Sequence, residues 1–102
     1  MPRSNMRLSD ELKTAVKFAA SSREMSISDY VMYAVNRYGE SAEPTDDFGD
    51  ERLHFREAAY ESIMYHAGQI AIRRWGSDGR KRTDVVRAAL VEATRRDGKP
   101  RD

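Results

Sequence analysis

The sequence predicts a mainly α-helical protein with one short two-stranded antiparallel ribbon, built from two copies of a strand–helix–helix unit. Two short stretches alternate polar and apolar residues, four longer stretches carry apolar residues at helical spacing, and this order of elements occurs twice in 102 residues. The predicted organisation is a first copy (1–39), an acidic linker (40–50), a second copy (51–96) and a polar tail (97–102), with one shared core.

The first copy begins with a stretch, Asn5 to Leu8, in which polar and apolar side chains alternate. Apolar residues at helical spacing then predict an amphipathic helix over 10–23, with Ser9 as its cap. After a polar turn, Ser26 forms a capping pair with Asp29 at the start of a second helix that stops at Gly39. Because a strand of four or five residues leaves backbone groups unpaired along both edges, it needs a partner strand.

The linker separates two basic segments. Residues 40–51, ESAEPTDDFGDE, carry six acidic residues and no basic one. Residues 1–39 carry six Lys or Arg against four Asp or Glu, and residues 52–102 carry twelve against seven. The net charge of +1 therefore hides a basic excess on both sides of the linker, which favours an anionic partner. A mild excess of this kind also occurs on surfaces that bind nothing.

The second copy follows the same order as the first. Residues 52–56 alternate polar and apolar, an apolar stripe over 60–71 predicts a helix ending near Trp75, and Thr83 with Asp84 opens a last helix. The stretch SDYVMYAV, which starts at residue 28, matches TDVVRAAL at a constant shift of 55 residues. The first helix of the second copy is longer, and chance similarity between two amphipathic helices is the alternative to a true repeat.

The pattern NMRLSDEL, followed by a helix, a turn and SISDYV, resembles the ribbon-helix-helix superfamily of DNA-binding proteins, the Arc/MetJ/CopG type. The resemblance covers residues 3–39 well and residues 51–96 more loosely. It implies that the two strands form an antiparallel ribbon that enters the DNA major groove, above a core of four helices. Members are usually homodimers, and a chain with both copies is similar to tandem forms among plasmid-transfer accessory proteins. We therefore expect a monomeric pseudo-dimer that binds double-stranded DNA.

On such a ribbon, alternate side chains point to opposite faces. We expect the helices to be covered by the apolar side chains of Met6, Leu8, Leu53 and Phe55. In the major groove Arg pairs with guanine and Asn with adenine, and the candidates for base contact are Arg3, Asn5, Arg7, Arg52, His54 and Arg56. Because the two copies differ, an asymmetric DNA site is favoured over a perfect palindrome.

The starts of the two second helices are candidate phosphate sites, because helix N-termini present free N–H groups to anions. The resemblance places the backbone clamp there, and the candidate contacts are Ser26, Ser28, Lys81, Arg82 and Thr83. Ordinary helix capping by the hydroxyl groups is the alternative, as is a solvated turn over 80–82.

Other function classes find little support. The lack of cysteine excludes disulfides and thiol-ligated metals and fits a reducing cytosol. No apolar run is long enough to span a membrane and no signal peptide is recognisable, so we expect a cytoplasmic protein without a membrane partner. The chain has no nucleophile with a placed base, no phosphate-binding loop and no metal-ligand spacing. We therefore expect no enzymatic activity, no cofactor and no metal.

Three roles remain open at this level. The protein is a transcriptional regulator such as a repressor, or a DNA-processing factor of a plasmid or mobile element that works beside a relaxosome component. The alternative is a homodimeric antitoxin-like repressor whose C-terminal half binds a toxin, although such tails usually lack the apolar periodicity of residues 51–96. A purely structural helical module is disfavoured by the Arg- and Asn-bearing edge of the first strand.

Overall fold

A computed structural model describes residues 4–45, 49–76 and 80–97 of the chain. Its elements are β1 (Asn5–Leu8), α1 (Asp10–Ser22), α2 (Ile27–Tyr38), β2 (Glu51–His54), α3 (Glu57–Trp75) and α4 (Arg82–Arg96). The predicted mainly helical fold with one small two-stranded antiparallel sheet is confirmed. Arg3, which was predicted to contact bases, lies outside the described residues, as does most of the predicted tail.

The two strands, although distant in sequence, pair with each other. In the antiparallel register Asn5 lies opposite His54, Met6 opposite Leu53, Arg7 opposite Arg52 and Leu8 opposite Glu51. One further backbone bond, from the Phe55 N–H to the Ser4 carbonyl at 2.7 Å, extends the ribbon past the last strand pair. Pairing within the chain thus provides hydrogen-bond partners for the backbone groups along one edge of each short strand.

The inner face of the ribbon packs against a hydrophobic core to which all six elements contribute. Leu8 and Leu53 are essentially inaccessible, Met6 and Phe55 are also buried, and the most extensive helix pairing is between α2 and α4. The predicted inward set is therefore confirmed. Full burial of a side chain of this size stabilises a fold by about 1.5–3 kcal/mol. The largest side chain that is fully buried in the described chain is Tyr30.

Three helix starts were predicted with hydroxyl groups near them, and two use the hydroxyl as a cap. The Ser9 hydroxyl accepts from the Leu12 N–H at 3.0 Å, and the Ser26 hydroxyl accepts from the Asp29 N–H at 3.1 Å. The start of α4 differs from the prediction, because the helix begins at Arg82 and Lys81 is its N-cap residue. There the Lys81 N–H donates to a carboxylate oxygen of Asp84 at 2.8 Å.

Both described ends of the acidic linker lie against the helical body. At the first end, the N–H groups of Ser41 and Ala42 donate to the Tyr38 carbonyl, and Ala42 is buried. At the second end, the Gly49 backbone lies so close to the end of β1 that an added Cβ would be 2.6 Å from the Ser9 Cα. Because of this close approach, a glycine is required at position 49, two residues before the start of β2.

The residue that ends α4, Asp97, is bonded both to the C-terminal end of α1 and to α2. The Asp97 carboxylate accepts from the Tyr30 hydroxyl at 2.8 Å and from two nitrogens of Arg23 at 3.1 and 3.0 Å. The Arg23 guanidinium also lies over the Tyr33 ring, 4.6 Å from its centroid. Burial raises the pKa of Tyr30 far above its ordinary value, and the hydrogen bond to Asp97 adds to the effect.

Candidate nucleic-acid interface

The solvent side of the ribbon brings together four polar side chains that we call the ribbon face: Asn5, Arg7, Arg52 and His54. Arg7 and His54 are exposed, whereas Asn5 and Arg52 are half-buried. All four were predicted to point away from the core. The register divides them between two ends, so that Asn5 faces His54 at one end and Arg7 faces Arg52 at the other.

The end of the ribbon face with Arg7 and Arg52 places two like charges directly opposite each other. Within the described residues, no carboxylate bonds to either guanidinium, and the nearby Glu51 is paired with Lys13 at 3.3 Å. Like charges opposite each other on a ribbon destabilise it. Among the described residues, therefore, the positive charge at this end of the ribbon face has no bonded carboxylate, and an electronegative ligand would relieve the repulsion.

A hydrogen bond across the ribbon links its two ends. Nη1 of Arg52 donates to Oδ1 of Asn5 at 3.1 Å. The bond leaves one lone pair of the Asn5 oxygen, the Asn5 amide nitrogen and the outer donors of Arg52 for a ligand. Both side chains are thereby held in defined positions before any ligand arrives.

A buried arginine bonds to the ribbon from the side of the helices, and sequence pattern did not identify it as a site residue. Arg87 is only 9% exposed, its Nε donates to the Arg7 carbonyl at 2.9 Å, and its Nη1 lies 3.4 Å from Asp84. The one available signal was a charged residue in the apolar stretch TDVVRAAL, at the position that Met32 occupies in the first copy. The bond from Arg87 to Arg7 connects the second turn of α4 to the Arg7 end of the ribbon face.

The start of α2 lies beside the other end and differs from the prediction at two residues. The strand ends at His54, so Arg56 is the N-cap residue of α3, and its guanidinium bonds to Asp29 at 3.2 Å instead of extending the ribbon face. Ser28 is buried, and its hydroxyl accepts from the Arg56 N–H at 3.2 Å. These side chains fasten α2 to α3, and Ser26 is the predicted phosphate contact that stays exposed here.

The start of α4 is the more basic of the two helix starts. Arg80, Lys81 and Arg82 are all exposed, whereas Thr83 is half-buried. Through Asp84 and Arg87 this turn adjoins the Arg7 end of the ribbon face. The predicted phosphate contacts Lys81 and Arg82 are thus accessible, and they begin a helix that is bonded to the backbone of the ribbon at Arg7.

Two other kinds of feature are absent from the part of the chain that the structure describes. No group of three or more His, Cys, Asp or Glu side chains that could hold a metal ion occurs there. None of the helices in that part combines the length and apolarity that crossing a membrane would require. Comparison of the chain with known protein families, with curated proteins and with solved structures found no match.

Proposed function

We propose that this protein is a tandem ribbon-helix-helix protein that binds double-stranded DNA sequence-specifically by inserting its ribbon into the major groove. The observation that carries the proposal is the ribbon face, in which Arg7 and Arg52 lie opposite each other without a bonded carboxylate among the described residues. A two-stranded ribbon fits the major groove, and guanine O6 and N7 are the acceptors that arginine recognises there.

The symmetry of the ribbon supports the tandem arrangement. A shift of 47 residues carries Asn5 to Arg52 and Arg7 to His54, and the register pairs these residues crosswise. Such a register is what a two-fold axis through the Met6–Leu53 pair produces. The same shift carries Asp10, the first residue of α1, to Glu57, the first residue of α3.

The two helix starts support a role in phosphate binding. They adjoin opposite ends of the ribbon, α2 through Arg56 and α4 through Arg87. Ser26, Lys81 and Arg82 are exposed beside N–H groups that a helix leaves without intrahelical partners. Contacts of this kind hold a DNA-binding protein in register, while the ribbon reads the bases.

Strand pairing within one chain favours the monomeric pseudo-dimer over the homodimeric antitoxin-like alternative. Residues of β2, α3 and α4 belong to the same core as those of β1, α1 and α2, so these three elements do not form a separate segment that could wrap a toxin. Transcriptional repression and plasmid or mobile-element DNA processing both use this binding activity. A relaxosome component is the protein partner that the second role would add.

The proposal is tested by selecting duplexes from a random pool and measuring affinity by fluorescence anisotropy over a range of salt concentrations. We expect the logarithm of the affinity to fall linearly with the logarithm of salt, with a slope of about −0.9 per phosphate contacted. Light scattering of the free protein should give the monomer mass of 11.7 kDa. A stable dimer would contradict the tandem form, and salt-independent or absent duplex binding would contradict the function.

Arg7→Ala and Lys17→Ala form a matched pair, because each removes one positive charge from an exposed side chain and only Arg7 lies on the ribbon face. We expect Arg7→Ala to reduce discrimination between the selected duplex and a scrambled one by about 1–3 kcal/mol. Lys17→Ala should leave that discrimination unchanged. Retained discrimination in Arg7→Ala would show that the ribbon is not the reading element.

A further inference from the structure

The two ends of the ribbon face differ chemically, although the strand register is compatible with a two-fold axis. We call this difference between the ends the polarity of the ribbon face. Positions related by the 47-residue shift carry different side chains, since Asn5 corresponds to Arg52 and Arg7 corresponds to His54. In the strand register, one end of the face therefore carries the two arginine positions and the other carries Asn5 and His54, while the Arg52 guanidinium reaches across the ribbon to Asn5.

The surroundings reinforce this polarity. The arginine end adjoins the start of α4, where Arg80, Lys81 and Arg82 are exposed. The amide end adjoins the start of α2, where the charge of Arg56 is offset by its ion pair with Asp29. Positive charge among the described residues is thus concentrated at one end of the proposed DNA-binding surface.

We propose that the protein binds a non-palindromic duplex in a single orientation, with guanine at the arginine end and adenine at the amide end. This inference rests on the proposed function. Arginine recognises guanine through O6 and N7, and asparagine recognises adenine through N6 and N7. The bond from Arg52 to Asn5 makes these two residues one reading unit, in which each side chain positions the other.

The test makes the ribbon face symmetric by substitution. Combining Arg52→Asn with His54→Arg gives both strands the asparagine–arginine order of β1 and leaves the number of arginines unchanged. Combining Asn5→Arg with Arg7→His instead gives both strands the arginine–histidine order of β2. The exchanged side chains lie on the ribbon face and outside the core, and circular dichroism checks that each variant remains helical.

Each protein is used to select duplexes from the same random pool. The wild-type protein should select a non-palindromic sequence, and the two symmetric variants should select two different palindromes. For the first variant, affinity for its palindrome should exceed affinity for the wild-type duplex by roughly 5- to 150-fold, the range expected for one base-pair preference.

Single substitutions test the reading unit. Asn5→Ala should remove the adenine preference and also weaken the guanine preference that depends on Arg52. Arg7→Ala should weaken the guanine preference and leave the adenine preference unchanged.

The outcomes separate the two proposals. Failure of the wild-type protein to bind any duplex would overturn the proposed function, and the inference with it. Duplex binding with selection of a palindrome by the wild-type protein would overturn the polarity alone. The polarity would also be wrong if the variant with Arg52→Asn and His54→Arg kept the wild-type sequence preference.

Discussion

Replacing Tyr30 by phenylalanine should destabilise the fold measurably, although only one oxygen atom is lost. The Tyr30 ring is fully buried, and its hydroxyl donates to the Asp97 carboxylate at 2.8 Å. A hydrogen bond to a charged group contributes about 1.5–3 kcal/mol. In the variant each Asp97 carboxylate oxygen still accepts a hydrogen bond from Arg23. We therefore expect the free energy of unfolding to fall by about 1.5 kcal/mol, at the lower end of that range.

Thermal unfolding followed by circular dichroism measures this loss. For a domain of this size, about 1.5 kcal/mol corresponds to a fall in Tm of roughly 6–12 °C. Tyr33→Phe is the matched control, since Tyr33 is only partly buried and contributes its ring to Tyr30 and to Arg23. That control should change the free energy of unfolding by less than about 0.5 kcal/mol. Equal effects in the two variants would refute the role assigned to the bond.

Alkaline pH gives a second readout of the same contact. Burial and the bond to Asp97 raise the pKa of Tyr30 in the folded protein above its ordinary value. A raised folded-state pKa gives stability that is complete below the unfolded-state pKa, about 10, and is lost as the pH rises above it. The free energy of unfolding should therefore fall less steeply above pH ~10 in Tyr30→Phe than in the wild-type protein. Parallel slopes would show that Tyr30 does not titrate differently in the two states.

Two further predictions concern the ribbon and the glycine beside it. Gly49→Ala should lower the free energy of unfolding by about 1–3 kcal/mol, because the new methyl group meets backbone atoms of Leu8 and Ser9. Gly68→Ala is the control, because a Cβ added at this position in α3 meets nothing within 4 Å. It should raise the free energy of unfolding by up to ~1 kcal/mol. Urea denaturation measures both, and a destabilised Gly68→Ala would contradict the reasoning. Leu8→Asp should unfold the domain, because it buries a charge in the core without a partner; a native circular dichroism spectrum would refute this.

The outward and inward faces of the ribbon could be predicted because alternation is a property of neighbouring residues. Once Asn5 to Leu8 is recognised as a strand, the pleat alone assigns Met6 and Leu8 to one face and Asn5 and Arg7 to the other. The cap at Ser26 was predictable for the same reason, since the hydroxyl and the Asp29 N–H that it accepts from lie within one turn.

The contacts of the candidate site could not be predicted in this way. Arg56 continues the alternation of β2, and only the turn into α3 removes it from the ribbon face and brings it to Asp29. Ser28 matches the pattern of an exposed cap, yet α3 covers it. Arg87 lies 80 residues from the carbonyl to which it donates, a separation over which sequence pattern carries no signal.

The sequence by itself determined the elements of this protein and the side of each that is buried, because hydrophobic periodicity and helix caps depend on residues at most a few positions apart. The tertiary structure decided the register of β1 on β2, the pairing of Arg7 with Arg52, and the bond between Arg52 and Asn5. Those features depend on how segments about 47 residues apart meet, and packing of the whole core sets that geometry.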